Sequence, residues 1–288
     1  MAAPLDASGG RGGGKRWLPL ESNPEVPRLP GLAGAARPDP PRRRAALTRA
    51  LLRLASTSDA QVLNKFARGL GLGADSGFSF CDVYGLDPEL LAMVPQPALA
   101  LLLLFPITEA TEADRTAQAA SGPASGGGGE GGAPWYTRQT IGNACGTIGV
   151  LHALANARGA LQIEAGSFLE RFLAATEALS PEERAAYLEH PPPGAPSLEE
   201  AHRGAAEEGS TAPPPADAAV DLHFVCFVQH AGSLFELDGR KTAPVRHGAS
   251  SEATFLQDAV GVVRDKFVAL AGDGNLNFNL MAFAKEWA

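Results

Sequence analysis

Apolar positions divide this chain into a few regular elements. After Asn143 and Ala144, either of which can cap a helix, Ile148, Leu151 and Ala155 recur on one face and predict an amphipathic helix. Ala98–Phe105 is the longest apolar run, and its eight residues are too few to cross a bilayer; it reads as a buried central strand. In FSFCDV (Phe78–Val83) and LHFVCFV (Leu222–Val228), cysteines alternate with large apolar residues, which predicts strands with Cys81 and Cys226 in the core. The second strand and Leu234–Asp238 flank Ala231-Gly232, and together they predict a hairpin. The expected fold is α/β, in the α+β sense, with a largely antiparallel sheet packed between helices.

Three low-complexity stretches interrupt this pattern, at about 27–61, 121–134 and 190–219. The first is rich in Pro, Arg and Ala and holds the basic cluster Arg42–Arg44; Leu47, Leu51 and Leu54 allow a short helix near Ala45–Ala55. The second is dominated by glycine and reads as a surface loop. Its GGGGEGG follows no strand and lacks the Lys-Ser/Thr of a phosphate loop. Pro191–Pro193 and Pro213–Pro215 bracket the glutamate-rich third, a length of structureless chain that is usually functional or a linker. The expected organisation is a single domain, 1–288, carrying these three insertions.

With 288 residues there is ample material for a core, and a net charge of −8 argues against nucleic acid as the main ligand. The three cysteines imply no disulfide framework and suit a reducing compartment. MAAPLDASGGRGGGK lacks the apolar core of a signal peptide. No Cys/His cluster has metal-ligand spacing, so neither metal nor cofactor is expected.

Chemistry concentrates at Cys145. A cysteine in the first turn of a helix meets the positive end of the macrodipole and several unpaired N–H groups, and both favour the thiolate. Gly142, Ala144, Gly146 and Gly149 are small enough to let another backbone pass close to the sulfur. Of six histidines, His152 lies two turns along the same helix, roughly 10 Å away. His190 and His202 fall in the third insertion, His230 in the hairpin turn and His247 in a loop. His223 opens a strand with apolar neighbours to fix its rotamer; it is either a general base or a polar residue facing solvent at a strand entrance.

Hairpin register places Asp238 opposite Val225, diagonally beside His223 on one face, at roughly 6–8 Å between Cα atoms. A carboxylate there can accept the Nδ1–H of the imidazole and leave Nε2 aimed at a thiol. Asp221 sits along the same strand, where side chains diverge, and Glu236 falls opposite Phe227, farther away. The competing reading of Asp238 is a surface turn residue. Gln139 can aim its side-chain amide at an oxyanion beside Cys145, or it can be a solvated loop glutamine.

The run QTIGNACGTIGVLHALAN (Gln139–Asn156) resembles the nucleophile signature of the ubiquitin C-terminal hydrolases, small papain-like cysteine peptidases. RWLPLESNPEV (Arg16–Val26), Phe78–Thr108, DLHFVCFVQHAGSLFELDGRK (Asp221–Lys241) and NFNLMAFAKE are similar to that family in the expected order. The resemblance implies a papain-like, knotted backbone and thiol-dependent hydrolysis after the C-terminal glycine of ubiquitin. It assigns Cys145 as nucleophile, His223 as general acid/base, Asp238 as its orienter and Gln139 as oxyanion stabiliser. It further suggests that Trp17–Pro19 wall the tail groove and that His190–Ala219 drapes over the cleft.

Ubiquitin is the implied partner, with Nedd8-like modifiers as further candidates, and neither nucleic acid nor membrane. A monomer in the cytoplasm, with the nucleus as a second compartment, is expected. A general papain-like protease and a catalytically inactive ubiquitin-binding module are the rival functions. Excising Val26–Gln61 restores an uninterrupted family-like NPEVLNKFARGLGL, so that stretch reads as a retained intron or, failing that, a lineage-specific insertion.

Overall fold

The computed structural model describes residues 59–120, 132–194, 198, 222–271 and 278–287. Arg16–Val26 with Trp17–Pro19, the Arg42–Arg44 cluster, Ala45–Ala55, most of both later insertions, His202 and Asp221 lie outside those residues. Helix α1 (Asp59–Leu70) begins within the last three residues of the first expected insertion and buries Ala60. Leu63, Phe66, Ala67 and Leu70 form its buried stripe. The helix stops in a Schellman turn. Gly71, at φ 111°, donates its N–H to Arg68 O at 2.9 Å, and the Leu72 N–H reaches Ala67 O at 3.0 Å.

Strand β1 (Phe78–Asp82) follows, then the short helix α2 (Pro88–Leu91), strand β2 (Ala98–Pro106) and helix α3 (Glu109–Ala120). Helix α4 (Cys145–Ala157) precedes α5 (Phe168–Thr176) and α6 (Pro181–Glu189), the latter closed by a capping box between Ser180 and Glu183. Strands β3 (Leu222–His230), β4 (Ser233–Leu237) and β5 (Val245–Ala249) lead to helix α7 (Phe255–Val262), which runs through a π turn at Val263–Val268 into Ala269–Ala271. Strand β6 (Asn279–Lys285) ends the described chain.

The six strands form one sheet in the order β1-β6-β2-β3-β4-β5, and every neighbouring pair is antiparallel. As its apolar run implies, β2 is central and buried. Alternation along it feeds two cores. Ala100, Leu102 and Leu104 face α1, α4 and α5, while Leu101, Leu103 and Phe105 pack with Val225, Phe227 and the α7 residues Phe255, Leu256 and Val260. The β3–β4 hairpin has the expected register, with Cys226 opposite Leu237, Phe227 opposite Glu236 and His230 opposite Ser233. Its two turn residues, Ala231 at φ 46° and Gly232 at φ 76°, are both left-handed, which matches the twist of a two-residue hairpin.

Several expectations change. Helix α4 is buried on nearly every side, not amphipathic, since twelve of its thirteen residues are buried. It lies between the sheet and the outer helices, where small Ala and Gly residues let it approach both. Gly149 therefore serves packing more than access, because a methyl there would lie 3.1 Å from Leu102 Cδ2. Cys81 is half-buried and not a core residue; burial and the nearby Asp82 push its thiol up to about 11. His190 is ordered as the last cap of α6, its N–H bonded to Ala186 O at 2.8 Å.

Candidate active site

Cys145 is the first residue of α4 and is 6% exposed. Ala144 occupies the cap position without a side-chain cap, and Asn143 before it turns the chain at φ 58°. The sulfur thus sits at the positive end of the helix, where the backbone N–H groups of a first turn have no intrahelical acceptor, the setting that favours a thiolate. The helix lies along β2 and β3, where Gly149 would place a methyl 3.8 Å from Phe224 Cβ.

His223, near the start of β3, is 3% exposed and paired opposite Phe105. The Phe105 ring meets it edge-on at 5.7 Å and fixes one side of the imidazole. Its partner is Asp238, also 3% exposed, at 2.7 Å from Oδ1. The bonded ring nitrogen is Nε2, not the expected Nδ1. Asp238 follows directly on the end of β4. Oδ1 also accepts the Arg240 N–H at 2.9 Å. Burial alone would raise the Asp238 carboxyl, but His223, Lys241 and the Arg240 N–H outweigh it and hold it below the usual carboxylate range.

Gln139 is tied to the same turn. Its N–H donates to Gly239 O at 2.8 Å, and its side-chain Nε2 donates to Ile141 O at 3.1 Å, leaving a second amide hydrogen. A methyl on Gly239 would lie 2.9 Å from Gln139 Cβ and 3.0 Å from Ile148 Cγ2. Ile148 is one turn below Cys145, so one glycine brings together the Asp238 turn, the Gln139 segment and the head of α4.

Other histidines take structural places. His152 is fully buried, stacks on Tyr136 at 5.1 Å and sits 3.2 Å from Thr137 N; burial drives its imidazole down to about 4. His247, expected in a loop, lies within β5 and bonds Glu236 Oε2 at 2.8 Å, and His230, expected in the hairpin turn, ends β3 beside Phe235. Sequence reasoning missed Tyr136, whose hydroxyl lies 2.7 Å from Asp238 O and 2.6 Å from Lys241 O. No short-range pattern marks a contact that spans a hundred residues of chain. Among the described residues no His, Cys, Asp and Glu cluster is arranged to hold a metal ion, and no helix is long and apolar enough to cross a membrane.

A buried His–Asp pair, a cysteine at a helix head and a glutamine amide tethered beside them are the parts of a thiol hydrolase. Residues 55–269 match the profile of the ubiquitin carboxyl-terminal hydrolases, family 1. Ubiquitin carboxyl-terminal hydrolase 3 of Arabidopsis thaliana is 40% identical over 272 residues, covering 94% of this chain and 95% of that protein. The ubiquitin carboxyl-terminal hydrolase of Aplysia californica is 42% identical over 256 residues, covering 88% of this chain and 96% of the relative. The chain belongs to that family. Its fold is also that of the catalytic domain of Trichinella spiralis UCH37, solved bound to ubiquitin vinyl methyl ester, with TM-score 0.59 at 20% identity over 80% of this chain and 94% of that one.

Proposed function

We propose that this protein is a deubiquitinase that hydrolyses the bond after the C-terminal glycine of ubiquitin, releasing small adducts or processing precursors. The buried His223–Asp238 pair, joined through Gly239 to Gln139 and the head of α4, carries this reading. The Cys145 thiolate attacks the carbonyl of that glycine. The backbone N–H of Cys145 and the Gln139 amide hold the oxyanion, a donor pair whose members commonly contribute about 3–4 kcal/mol each to the transition state. His223, oriented through Nε2 by Asp238, gives its Nδ1 proton to the leaving amine or thiol. It then takes a proton from water, which attacks the thioester and frees Cys145.

Ubiquitin is the partner that the family supports, and Nedd8-like modifiers are second candidates. Three cysteines, none in a disulfide, suit a reducing compartment such as the cytoplasm or nucleus, with the protein acting as a monomer in ubiquitin-dependent catabolism. A paired assay with a ubiquitin fluorogenic amide and casein tests the reading. Cleavage of the ubiquitin substrate alone is expected. Casein hydrolysis with the ubiquitin substrate untouched would replace it with a general papain-like protease, and binding without turnover by an inactive module.

A further inference from the structure

Asp238 opens a tight turn, Asp238-Gly239-Arg240-Lys241, closed by the Lys241 N–H donating to Asp238 O at 2.9 Å. Two parts of the active site hang on this turn. One is Asp238 itself; the other is Gln139, held by Gly239 O at 2.8 Å. Strand β4 ends at Leu237 and β5 starts at Val245, so no strand pairing fixes the far end of the turn. Side chains fix it. The Lys241 ammonium pairs with Glu236 and donates to Gln118 Oε1 on α3 at 2.7 Å.

Glu236 is a carboxylate with no exposed surface, on β4 two residues before Asp238. Besides Lys241 it accepts from His247 on β5 at 2.8 Å and from Lys266 at 3.4 Å, and Lys266 also lies 3.6 Å from Asp114. Lys266 comes from the π turn, an irregularity that often marks a functional place. The next residue, Phe267, packs edge-on against Phe105 at 4.9 Å, and Phe105 against His223 at 5.7 Å. Burying a carboxylate among three basic side chains from separate elements is costly, and a hydrophobic residue would often stabilise as well. Burial alone would raise this carboxyl, but Lys241, the His247 hydrogen bond and Lys266 outweigh it and keep it ionised.

We propose that Glu236 is a positioning residue of the active site: by clamping Lys241 it staples the 238–241 turn to β4 and sets Asp238 and Gln139 in one register. Being fully buried, it acts through Lys241 and not on substrate. The inference rests on the roles given above to Asp238 and Gln139.

The test compares wild type, Glu236→Gln and Lys241→Met in the full chain with a ubiquitin fluorogenic amide, each alone and combined with Asp238→Asn. Lys241→Met leaves Glu236 paired to His247 and Lys266, so the experiment does not depend on Glu236→Gln folding. Each single variant is expected to lose about tenfold in kcat with KM within about twofold, as displaced but intact catalytic groups predict. Added to Asp238→Asn, either change is expected to cost clearly less than it does alone, because only the share acting through Gln139 is left and the interacting sites are not additive. Wild-type kcat in both variants, or an undiminished cost on top of Asp238→Asn, would overturn the staple. A wild-type rate for Asp238→Asn alone would instead overturn the active-site assignment beneath it.

Discussion

At the scale of single residues, His223 reaches Asp238 because a two-residue hairpin fixes which strand positions share a face. That register follows from local rules, so the amino-acid pattern alone separates Asp238 from Glu236 and Asp221. Which ring nitrogen bonds the carboxylate leaves no such mark, because it depends on where the end of β4 lies relative to the ring. His223→Ala is expected to remove turnover almost completely, and Asp238→Asn to lower kcat by about 10²–10⁴-fold while leaving measurable activity, in steady-state assays on a ubiquitin amide. His152 makes a different prediction. Its imidazole falls from an ordinary 6.5 to about 4 in the fold, so between those values the unfolded chain binds the extra proton. Stability should therefore fall as pH drops through that window. Denaturant melts of His152→Gln should show a slope shallower than wild type by up to about 1.4 kcal/mol per pH unit. An unchanged slope would contradict burial as the cause.

At the scale of elements, helix α4 is legible in its start and not in its surroundings. Cys145 after Asn143-Ala144 marks the first turn, whereas Ala and Gly residues hide the difference between a half-exposed helix and one buried on nearly all sides. The Tyr136–His152 stack and the Tyr136 hydroxyl beside Asp238 O are illegible for the same reason, being contacts of the tertiary fold alone. Gly239 is the junction of three elements, and its cost is testable. In Gly239→Ala the added methyl would meet Gln139 Cβ at 2.9 Å and Ile148 Cγ2 at 3.0 Å. Gln139 or the head of α4 must shift, and kcat should fall by about tenfold or more with ubiquitin affinity retained. An unaltered kcat would show that these elements are not rigidly joined.

At the scale of the whole molecule, the sheet order places the C-terminal strand β6 between β1 and β2, and the two faces of β2 feed separate cores. The alternation in β1 and β3 and the apolar run of β2 make these strands readable, but order within the sheet is set by packing over long separations and leaves no local mark. Helix α4 carries the Cys145 thiol at its head, and the β3–β4 hairpin with the turn after it carries the His223 imidazole and the Asp238 carboxylate. The central claim is that its place at the head of α4 makes Cys145 the reactive thiol and leaves Cys81 and Cys226 inert, both raised by burial. Treating the folded protein with a ubiquitin-derived electrophile and mapping the adduct by mass spectrometry tests it directly. A single adduct on Cys145, lost in Cys145→Ala, is the predicted result; an adduct on Cys81 or Cys226 in the folded protein would contradict it.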